Sequence, residues 1–205
     1  MSNLADSLRL YLVTDDRPDA ESVIAVVRQA IMGGVTAVQL RRKTDDGGKF
    51  VELGRSLRKL TREFGVLFFV NDRVDVALLT DADGVHVGQS DISCKDARKL
   101  VGNKIIGVSA ANVEEARKAE ADGADYLGIG AIYQTSSKDD ADMTSLAELR
   151  RISQATNVPL VAIGGITSER VPEVIGAGAH GVAVMSAIMS ATDPKLAAGR
   201  LLTKL

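Results

Sequence analysis

The chain has one cysteine, Cys94, so no disulfide can form within it and a cysteine-rich metal site is excluded. It has no strong excess of charge: 25 Lys and Arg stand against 27 Asp and Glu, a formal net charge of −2. A generic polyanion binder carries a basic surplus, so any site for a negatively charged group must be local and nucleic acid is not an expected partner. No apolar run approaches the length that spans a membrane. The amino end, MSNLADSLRLYLV, lacks the basic leader and long apolar stretch of a secretory signal. No Pro-rich or Ser-rich linker divides the 205 residues. No G-x-G-x-x-G follows the first β-type run, which removes the usual mark of an open dinucleotide-binding sheet. These absences leave a soluble, cytoplasmic protein with one domain over residues 1–205. Its 45% hydrophobic and 25% charged residues are ordinary for a globular chain with a substantial core.

What is present is a repeated alternation. Short β-type runs occur at 8–15 (LRLYLVTD), 37–42 (AVQLRR), 66–72 (VLFFVND), 84–89 (GVHVGQ), 105–110 (IIGVSA), 126–132 (YLGIGAI), 159–166 (PLVAIGGI) and 181–188 (GVAVMSAI). Helical patterns lie between them, such as DAESVIAVVRQAIMGG and NVEEARKAEADGAD. In the second, Val113, Ala116, Ala119 and Ala121 form a narrow stripe of small apolar residues with acids and bases pointing outward. Gly33, Gly34 and Gly123 fall where these helices should stop. Eight strand–helix units with short connections predict an α/β fold, a single (β/α)8 TIM barrel near the lower end of the barrel size range.

In such a barrel, chemistry sits at the carboxyl ends of the strands. Polar residues gather there on nearly every run: Asp15, then Gln39, Arg41 and Lys43, then Asn71 and Asp72, Gln89 and Asp91, and Ser109. Strand side chains alternate, so Gln39, Arg41 and Lys43 share one face and Val38 and Leu40 the other. Asp72 and Asp91 follow the third and fourth runs, which are neighbours about 4.8 Å apart in a barrel. Each alone reads equally well as a helix cap. Together, opposite a cationic strand, they suit Mg²⁺, which takes one or two carboxylates and fills its other positions with water and phosphate oxygens. Glycines in IGGIT, with VMSAI in the next unit, stand where barrels often bind phosphate.

The stretch AIYQTSSKDD ends an apolar run in three hydroxyls and a lysine: Thr135, Ser136, Ser137 and Lys138. It fits a surface turn, and equally a loop that holds phosphate while the lysine faces a second anion. His86, inside GVHVGQ, reads as a hydrogen-bonded strand residue and His180 as surface. Cys94 reads as packing, and Met185 as either the barrel mouth or its wall.

Taken together, YLVTD, VQLRRK, VNDRVDVAL, ADGVHVGQSD, GVSA, GADYLGIGAIYQTSSK, VAIGGI and GVAVMSAI resemble the thiamine-phosphate synthase family over nearly the whole chain and in the same order. The resemblance implies a (β/α)8 transferase that couples 4-amino-2-methyl-5-pyrimidinylmethyl diphosphate to a thiazole phosphate, releasing pyrophosphate. It implies that Gln39, Arg41 and Lys43 meet the pyrimidine diphosphate, that Asn71 contacts the pyrimidine, and that Asp72 and Asp91 bind Mg²⁺. Ser109 is implied on the diphosphate, and Thr135, Ser136 and Ser137 on the thiazole substrate with Lys138 on the diphosphate. Gly165, Met185 and Ser186 complete the thiazole phosphate site. Lys138, Arg41, Lys43 and Ser109 carry the catalytic roles. The partners are then the two small-molecule substrates, with no nucleic acid and no membrane, and with homo-oligomerisation left open.

The chain departs from the family's pattern at Arg42, where a glutamate is common, and at QTSSK, where Gln134 replaces a proline and Ser137 a threonine. A related barrel, the thiazole tautomerase, is implied to use a histidine just after its GVS strand. Here that position is Ala111, which has no titratable group to shuttle a proton. A non-catalytic sensor of phosphate ligands is the other alternative.

Overall fold

A computed structural model describes residues 4–43, 46–134 and 143–205. Its eight strands are β1 (Leu10–Val13), β2 (Ala37–Leu40), β3 (Leu67–Asn71), β4 (Gly84–Val87), β5 (Ile105–Ala110), β6 (Tyr126–Ile129), β7 (Leu160–Ile163) and β8 (Gly181–Val184). They close in sequence order into a barrel, every pair parallel, with β8 returning to β1 through Leu10↔Val182 and Leu12↔Val184. The helices between them are α2 (Ala20–Met32), α3 (Gly47–Phe64), α4 (Val74–Leu79), α5 (Cys94–Val101), α6 (Val113–Ala121), α7 (Leu146–Ala155) and α8 (Val171–Gly176). The short α1 (Leu4–Ser7) precedes the barrel, and α9 (Ser186–Met189) and α10 (Pro194–Leu202) follow it. The predicted (β/α)8 barrel is the observed fold.

Strand alternation sorts the core into two layers. Leu10, Leu12, Val38, Leu40, Phe68 and Val70 face the helices. Tyr11, Val13, Ala37, Phe69, Tyr126, Val161 and Ala183 fill the lumen. There Tyr11, Phe69 and Tyr126 pack with ring centroids 5.3 to 6.0 Å apart. Room for them comes from inward-facing glycines: a Cβ at Gly107 would lie 2.1 Å from Tyr126 Cζ, and one at Gly128 would lie 2.8 Å from His86 Cε1.

The amino-end face is held by a device repeated four times. Thr36, Asp83, Asp125 and His180 each stand immediately before an even-numbered strand. Each donates its backbone N–H to the carbonyl of a residue at the start of the preceding strand: Leu10, Phe68, Ile106 and Leu160 respectively. Each then accepts that same residue's N–H on its side chain, at 3.1, 2.8, 2.8 and 3.1 Å. Two of the four are further clamped by an arginine of the helix that precedes the braced pair of strands. Arg58 of α3 binds both oxygens of Asp83 at 2.7 and 2.8 Å, and Arg98 of α5 binds Asp125 at 2.6 Å. Thus His180, exposed as expected, also braces β7.

Helix termini follow local chemistry. Asp19 caps α2 by accepting from Glu21 N–H, and Asn112 caps α6 by accepting from Glu115 N–H, as short polar side chains do at helix starts. Two sequence expectations need correction. In α6 only Ala116 and Ala119 are buried; Val113 is half-buried and Ala121 exposed, because two residues beyond Ala119 on a 3.6-residue helix is the opposite side. Several β-type runs also extend past the strand: 126–132 stops pairing at Ile129 and 181–188 at Val184. The residues beyond have left the ladder to form the loops above the barrel.

Candidate active site

A cavity of about 350 Å³ opens at the carboxyl ends of the strands. Gln39, Arg41, Asn71 and Ser109 line one side of the predicted set, and Gly165, Met185 and Ser186 the other. These residues come from β2, β3, β5 and the segments after β2, β7 and β8, so only barrel closure brings them together. Three described members of the set do not line this cavity. Lys43 is exposed, and Asp72 and Asp91 are exposed residues outside the lining. Thr135, Ser136, Ser137 and Lys138 lie outside the described residues.

The polar floor is built by inward alternation. Gln39 Nε2 donates to the Tyr11 hydroxyl at 3.1 Å, and the Tyr11 and Tyr126 hydroxyls are 2.9 Å apart. Tyr126 is 2.9 Å from His86 Nδ1, and His86 Nε2 is 3.0 Å from Ser109 Oγ. His86 is therefore the hydrogen-bonded strand residue expected, and it also borders the cavity. Burial pushes both phenols above their ordinary range, an effect that hydrogen bonding with Tyr126 and Gln39 partly offsets at Tyr11 and that the Tyr11 neighbour reinforces at Tyr126. Both stay neutral hydroxyls across the physiological range.

The cationic wall is positioned by two residues that sequence reasoning missed. Thr14 Oγ1, fully buried, accepts Arg41 N–H at 3.0 Å. Asp16 accepts Lys43 N–H at 2.9 Å and lies 3.3 Å from Arg41 Nη1. Their signal was adjacency, since TDD (14–16) directly follows the first strand, which pairs with β2. Asp15 is held by Arg17 at 2.8 and 2.7 Å. Arg42 donates to the Arg17 carbonyl and does not line the cavity, so the departure at this position leaves the site intact. Tyr11 and Tyr126 were also missed; their inward parity with Val13 and Gly128 was the available clue.

Neither aspartate caps a helix. The N-cap of α4 is Arg73, without a side-chain cap bond, and that of α5 is Ser93, which accepts from Asp96 N–H. Asp72 instead takes a left-handed backbone, φ 60°, and donates its N–H to the His86 carbonyl at 2.8 Å. A left-handed non-glycine residue at a strand end is the kind of strain that collects at functional sites. Asp91 Oδ2 accepts Gly88 N–H at 2.7 Å, which fixes the orientation of the carboxylate. Among the described residues no group of three or more His, Cys, Asp or Glu side chains could hold a metal. Two exposed carboxylates fit the hard, oxygen-only demand of Mg²⁺, which retains several waters.

The glycine pair after β7 packs the neighbouring loop. Gly164 and Gly165 have φ of 103° and 61°, and a Cβ on either would lie 2.6 Å from Ala131 Cβ or 2.8 Å from the Gln134 carbonyl oxygen. Arg170 ties the stem together, donating to the Gly165 carbonyl at 2.6 Å with its guanidinium 4.3 Å from the Tyr133 ring centroid. The Tyr133 hydroxyl donates to Glu173, and partial burial with that carboxylate neighbour pushes the phenol up to about 12. Cys94 is buried, as expected, and desolvation raises its thiol.

Residues 10–188 match the family model for thiamine monophosphate synthase. A thiamine-phosphate synthase of Methanobrevibacter smithii is 46% identical over 203 residues, covering 98% of this chain and 96% of the relative. One from Moorella thermoacetica is 50% identical over 195 residues, covering 94% and 93%. The solved thiamine phosphate pyrophosphorylase from Pyrococcus furiosus superposes with a TM-score of 0.90 at 44% identity, covering 98% of this chain and 97% of that one. With its motifs and its barrel in agreement with these matches, the chain belongs to the thiamine monophosphate synthase family.

Proposed function

We propose that the chain is a thiamine-phosphate synthase, a transferase that joins 4-amino-2-methyl-5-pyrimidinylmethyl diphosphate to a thiazole phosphate. One observation carries the assignment: the same cavity gathers Gln39, Arg41, Asn71 and Ser109 on one side and Gly165, Met185 and Ser186 on the other, in a chain close to named synthases.

The pyrimidine diphosphate occupies the first side, with Asn71 and Gln39 reaching the ring and Arg41, Lys43 and Ser109 the diphosphate. The thiazole phosphate takes the second, with Thr135, Ser136 and Ser137 closing over it and Lys138 facing the departing group. The bond from the methylene carbon to the diphosphate oxygen breaks, and its electron pair leaves with pyrophosphate. The pyrimidine amino group supplies electron density to the resulting cation. The thiazole nitrogen then donates its lone pair to form the new carbon–nitrogen bond. No protein nucleophile is needed. The protein aligns two substrates, excludes water and places donors where charge develops. Asp72 and Asp91 would hold Mg²⁺, whose charge offsets that of the leaving diphosphate.

Nothing favours the tautomerase reading: Ala111 offers only a methyl side chain, and its N–H donates to Glu115 at 2.8 Å. A cytoplasmic enzyme acting on small molecules, without nucleic acid, completes the proposal. Pyrophosphate release measured with both substrates tests it. Turnover that requires both substrates and Mg²⁺ is the expected result; ligand binding without release would make the chain a sensor.

A further inference from the structure

The five side chains of the cavity floor, Gln39, Tyr11, Tyr126, His86 and Ser109, form a continuous chain of hydrogen bonds. The direction of every bond follows from what its groups can give. The Gln39 amino group only donates, so the Tyr11 oxygen accepts. Tyr11 is 1% exposed, and the neighbour left for its proton is the Tyr126 oxygen, 2.9 Å away. Tyr126, also 1% exposed, passes its own proton to His86 Nδ1. That nitrogen is then an acceptor, the ring proton sits on Nε2, and Nε2–H donates to Ser109 Oγ. Run the other way, the Tyr11 oxygen would accept from both Gln39 and Tyr126 while its own buried proton faced no acceptor, a condition that native interiors rarely carry.

We propose that this chain is a directional relay that presents the Ser109 hydroxyl to the cavity as a hydrogen-bond donor, with Tyr126 as the positioning residue at its centre. Ser109 Oγ already accepts from His86, so its proton is free for a substrate oxygen on the cavity side it lines. A donor suits an anionic phosphate oxygen and helps most as charge builds on a leaving group. A serine that spent its proton on His86 would offer only lone pairs, which repel that oxygen. The catalytic part of the inference rests on the reading of the chain as a thiamine-phosphate synthase. The direction of the relay does not.

The chain has two histidines, so nitrogen-15 NMR of the substrate-free protein resolves the question at a fixed neutral pH. The exposed His180 is identified by its disappearance in His180→Gln. The expected result for His86 is a protonated Nε2 and a bare, hydrogen-bonded Nδ1. A proton on Nδ1 in the wild-type protein would overturn the relay. In Tyr126→Phe the ring stays and the bridge between Tyr11 and His86 goes. We expect the His86 proton to redistribute between the two nitrogens and kcat for pyrophosphate release to fall roughly tenfold, the order of one lost hydrogen bond. KM for the pyrimidine diphosphate should move less. An unchanged tautomer together with an unchanged kcat in Tyr126→Phe would also overturn the proposal. The expected tautomer in a wild-type protein that releases no pyrophosphate would uphold the relay and dismiss the synthase reading instead.

Discussion

Asp16 shows how much of a site rests on side chains that touch no substrate. Its two oxygens hold Lys43 N–H and the Arg41 guanidinium, and Thr14 holds the Arg41 backbone. Asp16→Ala should leave the barrel folded while Arg41 loses its fixed direction. With Asp16 partly exposed, the loss is about 1 kcal/mol, read as a rise of several-fold in KM for the pyrimidine diphosphate in steady-state kinetics. Asp72 and Asp91 belong to a different test. Asp72→Ala and Asp91→Ala should each lower Mg²⁺-dependent turnover sharply with circular dichroism unchanged; normal rates in both variants, in chelator, would remove the metal assignment. The residues that sequence reasoning found were those whose chemistry is unusual at a strand end, such as Gln39, Arg41 and Ser109. Those it missed were ordinary in isolation. A tyrosine in a strand is a common core residue, and only the closed barrel shows that Tyr11 and Tyr126 meet hydroxyl to hydroxyl across the lumen.

Element by element, the order and the core of all eight strands were legible because each run alternates two apolar faces. The ends were not, because loops above a barrel keep the same small and apolar residues once pairing stops, as GAI after Ile129 shows. Lys43 illustrates the consequence: it shares the parity of Gln39 and Arg41, but β2 ends at Leu40, and beyond the ladder parity no longer sets direction. The four braces were invisible as well, since a threonine, two aspartates and a histidine share no pattern. Their contribution can be measured. Asp83→Ala removes the acceptor of Phe68 N–H and the partner of Arg58, leaving a backbone donor and a largely buried cation unpaired. The expected cost is about 3 kcal/mol of unfolding free energy in a denaturant titration. Asp83→Asn, which keeps a carbonyl oxygen for Phe68, should lose clearly less.

Across the whole molecule, the three tyrosines act in concert on alkaline stability. All are held above the ordinary phenol value of 10.0, Tyr11 and Tyr126 mainly by burial and Tyr133 by desolvation with Glu173 beside it. A raised native pKa means that the unfolded chain releases its phenolic protons first as the pH climbs. Their contribution is therefore complete below pH 10 and drains away above it. Thermal unfolding midpoints should fall steeply between pH 10 and about 12, and tyrosinate absorbance should appear together with the loss of circular dichroism.

The fourfold brace has a further consequence for how the barrel can be taken apart. Each brace joins two consecutive strands, so the molecule is four self-fastened pairs set in a ring. A cut between Gly102 and Asn103 severs none of them: Thr36 and Asp83 stay with their partners in the first half, Asp125 and His180 in the second. The halves would meet along β4·β5 and β8·β1, with Arg98 reaching across the break to Asp125. Two separately produced fragments, 1–102 and 103–205, should therefore find each other and restore the cavity, giving a one-to-one complex by analytical ultracentrifugation. A cut between Phe69 and Asp83, which parts a brace from its strand, should give fragments that associate less tightly. Duplication and joining of such halves is a physical route by which a barrel of this kind could be assembled from smaller genes.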